Sequence, residues 1–348
     1  MENRIDMRSD TVTKPTADMR RAMAEAEVGD DVYGEDPTVR KLEELTAEKL
    51  GKAAGLFVTS GTQGNQVAIA THVRTGEEVI AEAESHIFFY EAAAVSAIAG
   101  AQIRQLAGNK GVLEADVVRR AIREPNIHHP RTALISLEDT HNRAGGTIFP
   151  VAKLRALREV ASSFGVPIHI DGARLFNAAV AEGVDPQEIA AHADTVQICL
   201  SKGLCAPVGS VLVGPKDFIE QARQWRKRLG GGMRQAGVIA APGILALNTM
   251  VDRLAEDHAD ARKLAQDIAN MPGMRVDLDT VQTNIVIADI AGTGVSVSEF
   301  LQRLAFAGVL ATSFGETLVR FVTHHDVAAK DLDKAVNAIR QVISEAKA

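Results

Sequence analysis

The sequence predicts an α/β protein with a large, mainly parallel sheet domain and a smaller α+β domain, on three observations. Short β-rich runs alternate with longer amphipathic ones from about residue 54 onward, the pattern of strand–helix–strand units. Three runs, VPIHIDGAR, TVQICLS and GSVLVG, are apolar and β-branched without polar alternation, as in strands covered on both faces. A chain of 348 residues also exceeds the size at which one hydrophobic core keeps growing. The expected division gives residues 16–245 to the large domain, and 1–15 with 246–348 to an N-terminal arm and the small domain.

Taken in order, helices are expected within 16–50, the second with Asp36 as N-cap, Pro37 in its first turn and Gly51 closing it. GLFVTSGTQGNQVAIATHV reads as a strand, a glycine-bearing turn and a helix. EEVIAEA, a helix around 91–99, AQIRQLA, a helix at 114–123, TALISLEDT and a helix at 151–164 continue the alternation. Beyond the three apolar strands, a long helix over 237–271 leads to MRVDLD and TNIVIADI. A helix at 298–307, the runs GVLATSF and TLVRFVT, and a last helix complete the chain.

Composition narrows the function classes. With 38 Lys+Arg against 45 Asp+Glu the net charge is -7, which disfavours nucleic acid and anionic membranes as partners. No stretch approaches the length of a membrane span and the opening MENRIDMRSD is polar, so a cytoplasmic address is expected. Cys199 and Cys205, separated by five residues, fit neither a zinc site nor a disulfide framework, and no metal is expected. The basic run RQWRKR at 223–228 reads as a solvated helix face.

Three features at strand ends carry chemistry. In SGTQGN, amides at a helix N-terminus suit a phosphate, although the turn lacks the lysine of a P-loop and serves equally as an ordinary cap. In HIDGAR, Asp171 ends a buried strand and needs a cationic partner; an ion pair with Arg174 is the structural alternative. In SKG, Lys202 sits on a polar turn after an apolar strand, where an amine is either solvated or positioned to bond covalently to a carbonyl. Their order is that of an anion cradle, a carboxylate for a pyridine nitrogen, and an amine for an aldehyde, the three needs of pyridoxal 5'-phosphate (PLP).

The motifs RSDTVTKP, SGTQGN, ESHIFFYE, EDTHN, HIDGAR, SKG, GGGMRQ and RFVTHHDV, spread from residue 8 to residue 326, resemble those of the threonine aldolases. The resemblance implies the PLP-dependent transferase fold type I, like that of aspartate aminotransferase. It also implies a homotetramer with active sites at subunit interfaces and a small amino acid as substrate, L-threonine or L-allo-threonine, cleaved to glycine and an aldehyde. By the same resemblance Lys202 bonds to PLP, Asp171 faces its ring nitrogen, and Gly61 and Thr62 cradle its phosphate. His86 stacks on the ring, His128 is a second histidine near the substrate hydroxyl, and either is the candidate base, directly or through water.

Ser9, Arg174 and Arg320 match the grip on the substrate carboxylate, for which a guanidinium fork is suited. Lys227 and Arg234 match positions near the phosphate, and Tyr33 one that reaches a neighbouring subunit's site. One departure is EDTHN, where many members carry ENTHN. The rival readings are another fold-type I PLP enzyme, such as a β-eliminating amino acid lyase, and a non-catalytic binding module on the same frame.

Overall fold

The computed structural model describes residues 4–345. Its large sheet has seven strands, ordered Ala54–Val58, Ser210–Gly214, Thr195–Cys199, Ile168–Gly172, Thr132–Glu138, Glu78–Glu82 and Gln102–Leu106. Only Ser210–Gly214 runs against its neighbours. The inner strands are apolar and β-branched because helices cover both faces, and every residue of the five from Glu78–Glu82 to Ser210–Gly214 is buried. The edge strand Gln102–Leu106 instead exposes Gln102 and Gln105, which discourages pairing with another sheet.

Register places the chemistry. Glu138 pairs with Asp171 and Asp171 with Gln197, so three adjacent strands bring these polar side chains level at their C-terminal ends. Asp36 caps the helix Pro37–Lys49 by accepting from Thr38 N (3.1 Å) and Val39 N (3.0 Å), as its sequence position predicts.

A second apolar core gathers Met7, Leu264, Phe300, Phe321 and Ile339 around a three-stranded antiparallel sheet, Thr312–Ser313, Leu318–Val322 and Ile285–Asp289. The N-terminal segment joins it, Ile5–Asp6 pairing in parallel with Val309–Leu310. That pairing aims the following residues, Ser9 to Thr13, back at the ends of the large sheet. Among the described residues no single helix is long and apolar enough to cross a membrane.

Four expectations are corrected. The helix expected over 237–271 is two, Gly237–Thr249 and Leu254–Ala269, bent by 72° at the break. Ala246, Leu247 and Leu254 fill the first core, whereas Ala261, Leu264 and Ala265 fill the second, and one straight helix cannot serve both. MRVDLD forms only a bridge from Arg275 to Asp289, because Asp277 accepts from Asp279 N and starts a 3-10 turn, Leu278–Thr280. The helix expected at 91–99 shrinks to Ala94–Ala97, preceded by Ala92 and Ala93 in left-handed conformations (φ 50° and 58°). Two such alanines in succession are costly and follow directly on Glu91, whose carboxylate is drawn into the interior.

The fourth correction concerns the basic run. Arg226 is buried, not solvated, donating to Phe57 O and to Asp31 Oδ2, both at 2.7 Å. Arg223 pairs with Glu43 at 3.1 Å and Arg228 lies over the Trp225 ring at 4.3 Å. The run therefore ties the loop before Tyr33 to the end of the strand Ala54–Val58. Arg226→Ala would leave Asp31 buried without its partner and is expected to cost about 3–5 kcal/mol in denaturant unfolding. A loss below about 1 kcal/mol would contradict this account.

Candidate active site

The cradle forms where the strand Ala54–Val58 turns into the helix Gly61–His72. Ser60 is the N-cap: its Oγ accepts from Gln63 N (3.1 Å) and its carbonyl from Gly64 N (3.0 Å). Gln63 Oε1 accepts from Thr59 N and Oγ1, closing the turn. The first two amides, of Gly61 and Thr62, find no partner among the described residues and lie on the pocket at the positive end of the helix. Glycine is required at 61, since a Cβ there would sit 2.6 Å from Cys199 Sγ.

Asp171 occupies the floor of the same pocket. Gln197 Nε2 and Asn65 Nδ2 each donate to it at 2.7 Å, on Oδ1 and Oδ2, and Ala173 N approaches Oδ1 at 3.2 Å. Burial would raise its pKa, but the charges of His86 and Lys202 with these amide donors outweigh that and hold the carboxyl below its ordinary range. Lys202 lines the pocket too, its backbone fixed through its carbonyl, which accepts from Thr13 Oγ1 (2.8 Å) and Cys205 N (2.9 Å).

His86 begins the short helix His86–Phe89, with its amide on Glu138 Oε2 (2.6 Å) and Nδ1 on Glu91 Oε1 (2.9 Å). Burial acts to lower its pKa. The Glu91 hydrogen bond and the charges of Asp171, Glu91 and Glu138 prevail and raise it above the ordinary histidine value.

Arg174 is buried and does not pair with Asp171. Its Nε and Nη2 each donate to Asp10 at 2.7 Å, which leaves Nη1 without a hydrogen bond to the described residues. Asn284 Nδ2 also reaches Asp10, at 3.2 Å. Asp10 is fully buried, and although burial opposes ionisation, the Arg174 charge keeps its pKa well below the usual carboxylate range. Arg320 reaches across from the strand Leu318–Val322, donating to Asn142 Oδ1 (2.8 Å) and Arg8 O (3.1 Å).

Of the residues expected from the sequence, Gly61, Thr62, His86, Asp171, Arg174 and Lys202 line one pocket. Ser9 and Arg320 lie beside it: Ser9 Oγ accepts from Thr11 N (3.2 Å), and Thr11 and Asn142, which touch these two, are lining residues. His128 is not brought to this pocket in its own chain. It sits on an exposed loop before the strand Thr132–Glu138, and the site lies beyond that strand's other end, about 20 Å away at ~3.3 Å per residue.

Tyr33 is 75% exposed, and Arg234 turns outward to Asp30 at 3.0 Å. Lys227 is exposed alongside Gly232. None of the three lines the pocket of its own chain.

Sequence reasoning missed Asp10, Asn65, Glu91, Glu138 and Gln197. All five stand inside quoted motifs or runs, and for Asp10, Glu91 and Glu138 an acidic group within an otherwise apolar or capped segment was the available signal. Asn65, at the end of SGTQGN, and Gln197, within TVQICLS, carried no such signal, being neutral residues on a helix and a strand.

A family model described as beta-eliminating lyase matches residues 6–291. The chain belongs to the β-eliminating lyase family. Among its relatives, "Low-specificity L-threonine aldolase 1" of Arabidopsis thaliana is 42% identical over 97% of this chain and 96% of its own length. The "Low specificity L-threonine aldolase" of Escherichia coli (strain K12) is 42% identical over 94% and 96%. The fold is shared with a solved Leishmania major threonine aldolase, TM-score 0.83 at 19% identity, covering 97% of this chain and 99% of that one. It extends to an aspartate aminotransferase from Rhizobium meliloti, TM-score 0.70 at 16% identity, covering 98% and 92%.

The donor set of this family member fits PLP. Two open amides at a helix N-terminus suit a phosphate, an anionic carboxylate held by two amides suits a pyridinium N–H, and an amine shares their pocket. Gly61→Ala is expected to weaken PLP binding about tenfold or more through the clash with Cys199. Adding Cys199→Ala should restore a large part of that affinity, measured by absorbance titration. No recovery in the double variant would contradict the assigned cause.

Proposed function

We propose that the chain is a PLP-dependent aldolase that cleaves L-threonine, L-allo-threonine and related β-hydroxy-α-amino acids to glycine and an aldehyde. The observation that carries this reading is a single one. The amine of Lys202, the carboxylate of Asp171 and the open amides of Gly61 and Thr62 line one pocket, in a chain 42% identical to low-specificity L-threonine aldolases over almost its full length.

When bound, PLP supplies the electron sink for the pair left on Cα as the Cα–Cβ bond breaks. Lys202 Nζ, lining the pocket, would be the amine that holds the cofactor aldehyde. Asp171, held anionic, keeps a proton on the ring nitrogen. Arg174 Nη1 and Arg320 grip the substrate carboxylate, and fixing that group decides which Cα bond stands in the reactive orientation. His86, with Nδ1 engaged by Glu91, presents Nε2 to take the β-hydroxyl proton.

Tyr33, Lys227, Arg234 and His128, turned away from their own pocket, belong in this reading to the site of a neighbouring subunit in a homotetramer. A cytoplasmic location completes it.

Incubation with L-threonine and PLP is expected to release glycine and acetaldehyde in equal amounts, and L-allo-threonine likewise. A keto acid and ammonia would identify a β-eliminating lyase instead, the activity that the family description names. Because His86 must be neutral to accept a proton, kcat/KM should fall as pH drops through its raised pKa. Glu91→Gln removes the partner that raises it and should move this acid limb to lower pH. An unmoved limb would exclude His86 as the base.

A further inference from the structure

Behind the pocket, buried side chains form a hydrogen-bond chain whose direction is fixed at one residue. Asn65, buried on the helix Gly61–His72, gives away both Nδ2 hydrogens, to Asp171 Oδ2 at 2.7 Å and to Glu91 Oε1 at 2.8 Å. Asp171, held ionised, accepts only, so the amide has one permissible orientation and its Oδ1 must accept from His169 Nε2 at 3.1 Å. His169 therefore carries its hydrogen on Nε2. Its full burial outweighs the nearby Asp171 charge and a backbone contact with Thr195 and lowers its pKa to about 4, so the ring is neutral and, with its hydrogen on Nε2, Nδ1 is a lone pair.

The remaining links follow by elimination. Nδ1 accepts from Thr195 Oγ1 at 3.0 Å, which spends the only hydroxyl hydrogen of Thr195. Thr195 Oγ1 must then accept from His72 Nε2 at 2.8 Å. His72 is neutral as well, burial first and His169 second lowering its pKa to about 3, and Phe218 packs on its ring at 4.4 Å. Each donor from His72 through Thr195 and His169 to Asn65 thus points toward the same two carboxylates.

Glu91, Asp171 and His86 each offer an atom within 4.8 Å of the others. Two carboxylates so close tend to share a proton unless a donor stands between them. We propose that Asn65 is a positioning residue that sets the direction of this chain, holding Asp171 as the anion that meets the cofactor ring nitrogen and orienting His86 through Glu91. One amide thereby couples the group that tunes the cofactor to the group that moves the substrate proton. Neither function can be reset without disturbing the other.

The catalytic side of this inference rests on the aldolase reading; the tautomer side does not. The direct test is nitrogen NMR of the full chain labelled with 15N-histidine, without substrate. His169 is expected as the neutral Nε2–H tautomer from about pH 5.5 to about pH 8, a span over which an ordinary histidine titrates. A charged ring or an Nδ1–H tautomer overturns the proposal, and this readout needs no variant to fold.

Asn65→Ala should free the ring to sample both tautomers. In the PLP-loaded protein it should lower kcat about tenfold or more with KM changed less than about threefold, and displace the pH dependence of the cofactor absorption band. Asn65→Asp, which keeps the shape but turns the donor into an acceptor, should do the same or more. A folded Asn65→Ala protein whose band and kcat stay within about twofold of the parent overturns the assignment. A parent protein that releases no glycine yet shows the Nε2–H tautomer loses the activity and keeps this inference.

Discussion

The structure is organised around one buried charge. Asp171 ends the central strand of the large sheet, almost wholly buried at the floor of the pocket, and an isolated carboxylate there would be protonated rather than ionised. It is kept ionised by two amide donors from different elements and by the charges of His86 and Lys202 across the pocket. The parallel register supplies Gln197 from the next strand, and the helix that follows the anion cradle supplies Asn65. Cradle, carboxylate and amine are thereby assembled by the same packing that satisfies the charge.

On the substrate side a second buried charge does comparable work between the two cores. Asp10 arrives with the N-terminal segment because Ile5–Asp6 pairs with Val309–Leu310, and it fixes the Arg174 fork with two bonds. Asn284 bonds both Asp10 and Thr323 O, and Thr323 Oγ1 bonds Asp257 O, so the small sheet and the helix Leu254–Ala269 share the arrangement. In a buried ion pair of this kind desolvation offsets most of the attraction. What it fixes is geometry: one guanidinium nitrogen faces the pocket instead of a mobile side chain.

Much of this was legible because strand ends are encoded locally. Apolar β-branched runs stopping at Asp171 and before Lys202, and a glycine-bearing turn at Gly61, need only periodicity and turn chemistry to be placed. The partners were not legible, since Asp10 meets Arg174 across 164 positions and no local pattern signals that meeting. Charge misled for Arg226, where a basic run resembled a wet helix face but one member neutralises Asp31. Helix propensity misled at 91–99, where the inward pull on Glu91 overrides an alanine-rich stretch. The bend after Thr249 carries no glycine or proline, because it answers the presence of two cores rather than a local breaker.

In the proposed chemistry the cofactor attaches covalently to the Lys202 amine, in the pocket floored by Asp171. The most direct measurement is borohydride reduction of the PLP-treated protein followed by peptide mass mapping. The account requires one pyridoxyl adduct, on Lys202, and a marked loss of its yield in Asp171→Ala. Label on another lysine, or none in protein that is folded and saturated with PLP, would contradict it.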